Sequence, residues 1–158
     1  MTLTVYLAGE IHSDWRAEIA AACEGLDVAF TAPVTDHAAS DDVGVAILGA
    51  EKRKVWHDRL GAGINAIRTR TALAAADVVV VRFGDRYKQW NAAFDAGQAV
   101  AMGKPLILQH PPEHAHALKE MAAASAAVCE TPLQVAQVLR YVTTGALPDR
   151  GNAAFTKL

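Results

Sequence analysis

Apolar residues along the chain fall into two kinds of run, and their alternation predicts the architecture. Short runs rich in β-branched residues read as strands: Leu3–Ala8, Asp27–Ala32, Val78–Phe83, Leu106–Gln109 and Ala126–Cys129. The unbroken Val78–Phe83 run suits a strand buried on both faces, as in a parallel sheet. Between the strands the apolar spacing turns helical. Trp15, Ile19, Ala22, Cys23 and Leu26 make one stripe, entered through Ser13 as N-cap. Ser40 with Asp41 and Asp42 opens a short helix through Ile47. After the charge-dense Glu51–Arg59 segment, Leu60, Ile64, Ile67, Thr71 and Ala74 make a long amphipathic stripe. Asn91 is a good N-cap for the next helix, and Gly103 before Lys104-Pro105 closes it. Pro111-Pro112 opens another, with Leu118, Met121 and Ala122 inward. Thr131-Pro132-Leu133-Gln134 is a capping box with proline at the first helical position, ahead of Val135, Val138, Leu139 and Val142.

Strands alternating with helices in this way predict an α/β fold, a three-layer sandwich around a five-stranded parallel sheet. The expected strand order is flavodoxin-like, 2-1-3-4-5, with its switch point between the first and third strands. Ligands of such sheets bind outside the carboxyl ends of the strands. The turn Gly9–Trp15 is therefore expected beside the loop that leads to Asp95, and the two to share a cavity. Asp95 is one carboxylate among Ala, Phe and Gly near the start of its helix. It reads either as a helix-dipole partner or as an acid held ionised to work on a ligand.

The length of 158 residues fits one domain over 1–145, with 146–158 as an aperiodic tail, either frayed or an arm that docks Phe155 elsewhere. A net charge of −2 gives no positive field to recruit phosphates, so a nucleic-acid partner is not expected. Cys23 and Cys129 fall in apolar patterns and read as buried free thiols of a reducing, cytoplasmic protein. No apolar run approaches the roughly 20 residues of a membrane span, and the N-terminus lacks the basic start of a signal peptide.

Candidate chemistry gathers in YLAGEIHSDWR, Tyr6–Arg16. Glu10 and Asp14 would repel a phosphate at that helix start, so hydroxyls and base edges suit the turn better, and an unphosphorylated ligand is favoured. Arg82 interrupts a buried strand near its end and should face a carboxylate, Asp95 or Glu10, or the ligand. The basic run Lys52, Arg53, Lys54, Arg59, Arg68 and Arg70 reads as a solvated helix face, because acids are interspersed. His110, His114 and His116 lack the spacing of a metal site, so no metal is expected. GxGxxG does not occur.

These pieces together resemble the nucleoside 2-deoxyribosyltransferase superfamily, most closely its YtoQ branch. The likeness rests on YLAGEIHSDWR, RTRTALAAADVVVVRFGDRYKQWNAAFDAG and AVAMGKPLIL, in that order, and covers Tyr6 to about Val142. It implies enzymes that cleave N-glycosidic bonds of (deoxy)nucleosides or their monophosphates without metal or redox cofactor, as homodimers or larger homo-oligomers. It implies Asp95 at the position of the family's attacking glutamate, and Tyr6 and the Gly9–Ser13 turn at the family's first-strand positions. Two positions differ: the nucleophile is Asp, and Thr69 stands where many members carry an acid. Asp falls short of Glu by roughly 1.5 Å, a single-bond step. Direct attack on a deeper sugar and attack through a water molecule both remain open, and with them transfer and hydrolysis. Glu10 and His12 are candidates for substrate contact and proton delivery; Tyr6, Gly9, Arg82, Trp90 and Asn91 are candidates for positioning it. The alternative is a nucleoside- or nucleotide-binding or sensing protein without turnover.

Overall fold

The valine run builds the middle of the sheet. β3 (Val78–Arg82) is buried from Val78 to Val81 and pairs with β1 (Leu3–Gly9) on one side and β4 (Leu106–Gln109) on the other. β2 (Val28–Thr31) and β5 (Ala127–Cys129) form the edges. This computed structural model describes residues 1–85 and 89–148, and among them every strand pairing is parallel, in the order β2-β1-β3-β4-β5. The chain thus adopts the expected flavodoxin-like order, with the switch point between β1 and β3. At the base of that junction Asp77 and Thr4 bind each other twice. The Thr4 N–H donates to the Asp77 carboxylate at 2.8 Å, and the Asp77 N–H donates to the Thr4 carbonyl at 2.8 Å.

The two-residue period of the strands divides the core between two faces. Val5, Leu7, Val78, Val80 and Ile107 meet Trp15 and Ile19 of α1 (Trp15–Ala22) and Val135 and Leu139 of the last helix (Pro132–Thr144). Tyr6, Ala8, Val79, Val81, Leu106 and Leu108 meet Leu73 of a long helix (Lys54–Ala75) and Ala92, Ala96 and Ala99 of the helix after β3 (Trp90–Ala101). Alanines on that last surface let its backbone approach the sheet closely.

Several element boundaries differ from expectation. α1 has Asp14 rather than Ser13 at its cap, because the Ser13 hydroxyl is engaged by Glu10. The short helix expected from Ser40 is two: α2 (His37–Asp41), capped by the Asp36 carboxylate on the Ala39 N–H at 3.0 Å, and α3 (Val43–Leu48). The long helix, α4, starts at Lys54 and so takes in much of the charged segment. Its first turns carry no apolar period, and α3 crosses the helix just after them through glycines: a Cβ on Gly44 would lie 2.5 Å from the Gly61 nitrogen. α5 (Trp90–Ala101) has Gln89 at its cap, which leaves Asn91 inside the first turn instead of at the N-cap. Pro111-Pro112 opens only a 3-10 turn over Pro112–His114; α6 (Lys119–Ala123) follows, with Leu118, Met121 and Ala122 against the core. α7 (Pro132–Thr144) carries the full capping box between Thr131 and Gln134, although Val142 is exposed. Cys23 and Cys129 are free and buried. The expected Phe155 arm lies outside the described residues. Among those described, no helix is long and apolar enough to cross a membrane.

Candidate functional site

Gly9 ends β1 with φ +116°, and a Cβ there would lie 2.2 Å from the Arg82 carbonyl oxygen. Only glycine lets the first turn leave the sheet this close to β3. Beyond it the Glu10 N–H donates to the Arg82 carbonyl at 3.2 Å. The Glu10 carboxylate is buried and accepts from Arg82 Nε at 3.0 Å, from the His12 N–H at 2.7 Å and from the Ser13 hydroxyl. Burial alone would push this carboxyl up, but the Ser13, His12 and Arg82 bonds outweigh it and hold it below the usual carboxylate range. Arg16 reaches back to the Leu7, Gly9 and Glu10 carbonyls at 3.0, 3.1 and 2.8 Å, and Trp15 Nε1 donates to the Glu10 carbonyl at 2.9 Å. The turn is therefore braced from both sides of its backbone.

Two cavities flank it. The smaller, of about 200 Å³, is lined by Glu10, His12, Ser13, Arg82, Gly84, Asp85 and Gln89. The larger, of about 780 Å³, lies between α4 and α5. Gly9 and Ile11 of the turn form one end, and Pro33, Val34, Ser40 and Asp41 close it from the β2 side. α4 contributes Lys54, Asp58, Asn65, Arg68 and Thr69; α5 contributes Asn91, Phe94, Asp95 and Gln98. The Asn65 amide holds the α2 wall, donating to the Ser40 carbonyl and hydroxyl at 2.9 and 3.0 Å.

Among the described residues the Asp95 carboxylate makes no hydrogen bond or ion pair. Burial pushes it up to about 6. The expectation that the helix start holds it ionised needs correction in its cause. Asp95 lies in the second turn of α5, beyond the free N–H groups, and the dipole's effect falls off within the first turn. The carboxyl still ionises by neutral pH, but it does so against desolvation. Tyr6, whose phenol feels the Asp95 charge, is fully buried, its hydroxyl without a hydrogen bond of normal geometry among the described residues. Burial raises the Tyr6 phenol, Thr69 partly offsets this, and the Asp95 charge adds to it.

The candidates named from sequence thus separate. Asp95, Gly9 and Asn91 share the large cavity, which the buried Tyr6 does not line; Glu10, His12 and Arg82 line the small one. Arg82 chose Glu10, not Asp95, as its partner. Trp90 is 73% exposed and lines neither cavity. The acids that argued against phosphate, Glu10 and Asp14, do not line the Asp95 cavity, whereas Lys54 and Arg68 of the basic run do. Ser40, Asn65 and Gln98 went unsuspected; the only sequence signal is the helical offset of Asn65 from Thr69 and of Gln98 from Asp95, and Ser40 has none. Cys129 offers no nucleophile, since burial pushes its thiol up to about 11. His110 binds the Pro111 carbonyl at 2.8 Å and His114 the Gly84 carbonyl at 3.3 Å. No group of three metal-ligating side chains occurs among the described residues.

Known proteins resemble this chain in sequence and in fold. The family model described as nucleoside 2-deoxyribosyltransferase YtoQ matches residues 6–143. The uncharacterized protein YtoQ of Bacillus subtilis (strain 168) is 41% identical over 144 residues, 90% of this chain and 97% of that protein. Among solved structures, a conserved protein from Enterococcus faecalis V583 superposes with a TM-score of 0.62 at 14% identity, over 90% of this chain and 99% of its own. A 2-deoxyribosyltransferase from Bacillus psychrosaccharolyticus superposes with a TM-score of 0.54 at 16% identity, over 84% and 90%. At these identities the two structures speak for the fold.

Proposed function

Because the chain belongs to the nucleoside 2-deoxyribosyltransferase YtoQ family, we propose that it cleaves the N-glycosidic bond of a nucleoside or nucleotide in the cavity between α4 and α5, with Asp95 as the reacting carboxylate. One observation carries the reading: a carboxylate that makes no hydrogen bond or ion pair among the described residues, pushed by burial to about 6, in a cavity of about 780 Å³ at the switch point of the sheet. That volume falls in the range of small-molecule sites. Breaking the C1′–N bond builds positive charge on the sugar, which a carboxylate beneath C1′ stabilises or relieves by activating a nucleophile. Asn65, Asn91 and Gln98 supply amide edges for the base and hydroxyls. The braced Glu10–Arg82 turn holds Gly9 and Ile11 in place as the cavity's end wall. Association into homo-oligomers in the cytoplasm belongs to the same proposal, supported by the exposed Trp90 and Phe94 beside the cavity mouth.

Incubation of the protein with deoxynucleosides, ribonucleosides and their monophosphates, with and without a second free base, tests the reading. Release of free base without an acceptor marks a hydrolase, and a new nucleoside marks a transferase. Binding of one member without turnover across the panel would replace the enzyme by a sensing protein.

A further inference from the structure

Among the described residues that line the Asp95 cavity, Asp95 is the one carboxylate that is partly buried, and the sealed Tyr6 hydroxyl does not open onto it. The other two carboxylates that line it, Asp41 and Asp58, are exposed, and its remaining described side chains are the cations Lys54 and Arg68, amides, hydroxyls and apolar groups. A neutral base leaves C1′ as an anion and needs a proton as it goes. A single carboxylate that takes a proton from the attacking group cannot give one to the leaving group in the same step. Among the described lining residues the carboxylates Asp41, Asp58 and Asp95 also outnumber the cations Lys54 and Arg68. We infer, resting on the proposed glycosidic cleavage, that the substrate class is N-glycosides of cationic bases, such as pyridinium or 7-alkylpurinium rings, hydrolysed by a water that Asp95 deprotonates.

The step balances without a further reagent. The water oxygen bonds to C1′ while its proton passes to the Asp95 carboxylate. The C1′–N pair returns to the ring nitrogen, cancels the positive charge of the base and lets it leave neutral. The free sugar departs with its anomeric centre inverted, and Asp95 returns its proton to solvent. The short side chain suits this role, because it leaves room for the water between carboxylate and sugar. A buried carboxyl near neutrality is a competent base for it.

The test compares matched probes on the full chain: 7-methylguanosine against guanosine, and nicotinamide riboside against uridine. A general acid supplies about 10²–10⁴-fold, so each cationic probe should exceed its neutral partner by about 10²-fold or more in kcat/KM, after each rate is divided by its own buffer rate. The profile for nicotinamide riboside, whose ring charge is permanent, should rise once near the Asp95 value of about 6 and then stay flat. The first sugar product seen by proton NMR should be the α-anomer. Equal cleavage of guanosine with a bell-shaped profile, or a β-anomer from a covalent intermediate, overturns this inference and leaves the glycosidic reading standing. Cleavage of none of the four probes overturns the inference, while base release from the wider nucleoside panel still decides the parent reading.

Discussion

Asp95→Asn should stabilise the protein at alkaline pH while it removes the reacting carboxylate. Burial raises the Asp95 carboxyl from 3.8 to about 6. At about 1.36 kcal/mol per tenfold change in proton affinity, this corresponds to roughly 3 kcal/mol, which solvent at the cavity mouth reduces to about 2 kcal/mol. The folded state binds the proton more tightly than the unfolded state does. Its favourable contribution is therefore complete below 3.8 and is lost as pH rises through about 6. An amide cannot ionise and escapes that loss. For a chain of this size about 2 kcal/mol moves the midpoint by roughly 4–8 °C. Thermal melts of the two proteins at pH 4 and pH 8 measure the effect. The variant should melt higher at pH 8 by that margin and nearly coincide with the parent at pH 4. An equal difference at both values, or a variant that melts lower at pH 8, would refute the placing of this carboxylate in a desolvated cavity.

The remaining expectations follow from the turn and from the last helix. Gly9→Ala places a Cβ 2.2 Å from the Arg82 carbonyl at φ +116°, and should destabilise by about 3 kcal/mol or more, read by urea denaturation. Glu10→Gln keeps an acceptor but leaves Arg82 without its ion pair, which costs about 2 kcal/mol at neutral pH. Because the Glu10 carboxyl is held low, the parent's advantage should be present above the usual carboxylate range and fade as pH falls below it. Thr131→Ala removes the α7 capping box and should lose about 1 kcal/mol in the same denaturation series, with kcat/KM unchanged.

The sheet was legible because its strands are fixed by local composition. The Val78–Val81 run admits little besides a doubly buried strand, and Thr131 with Gln134 satisfies its own helix end without distant help. The start of α4 was not legible, since Lys54–Arg59 has no apolar periodicity of its own and the close glycine contact with α3 comes only after it, at Leu60 and Gly61. Asp95 stood out as a charge in a small-residue helix, yet its environment did not. The difference between a dipole-stabilised and a desolvated carboxylate depends on one helical turn and on what lies across the cavity. The division of Glu10 and Asp95 between two cavities was likewise hidden. It follows from the positive φ at Gly9, which sends the turn's acid toward Arg82, and the Gly9–Arg82 register exists only once β1 and β3 pair.

Chromatographic base release by the parent protein and by Asp95→Asn, on the best nucleoside of the panel and beside calorimetric titration of the same ligand, puts the decisive question to the cavity. Release by the parent, loss of about 10³-fold or more in the variant and binding within a few-fold of the parent are the expected results for a group that acts on the reacting atoms. A variant that binds and still releases base at the parent's rate would contradict the assignment of Asp95.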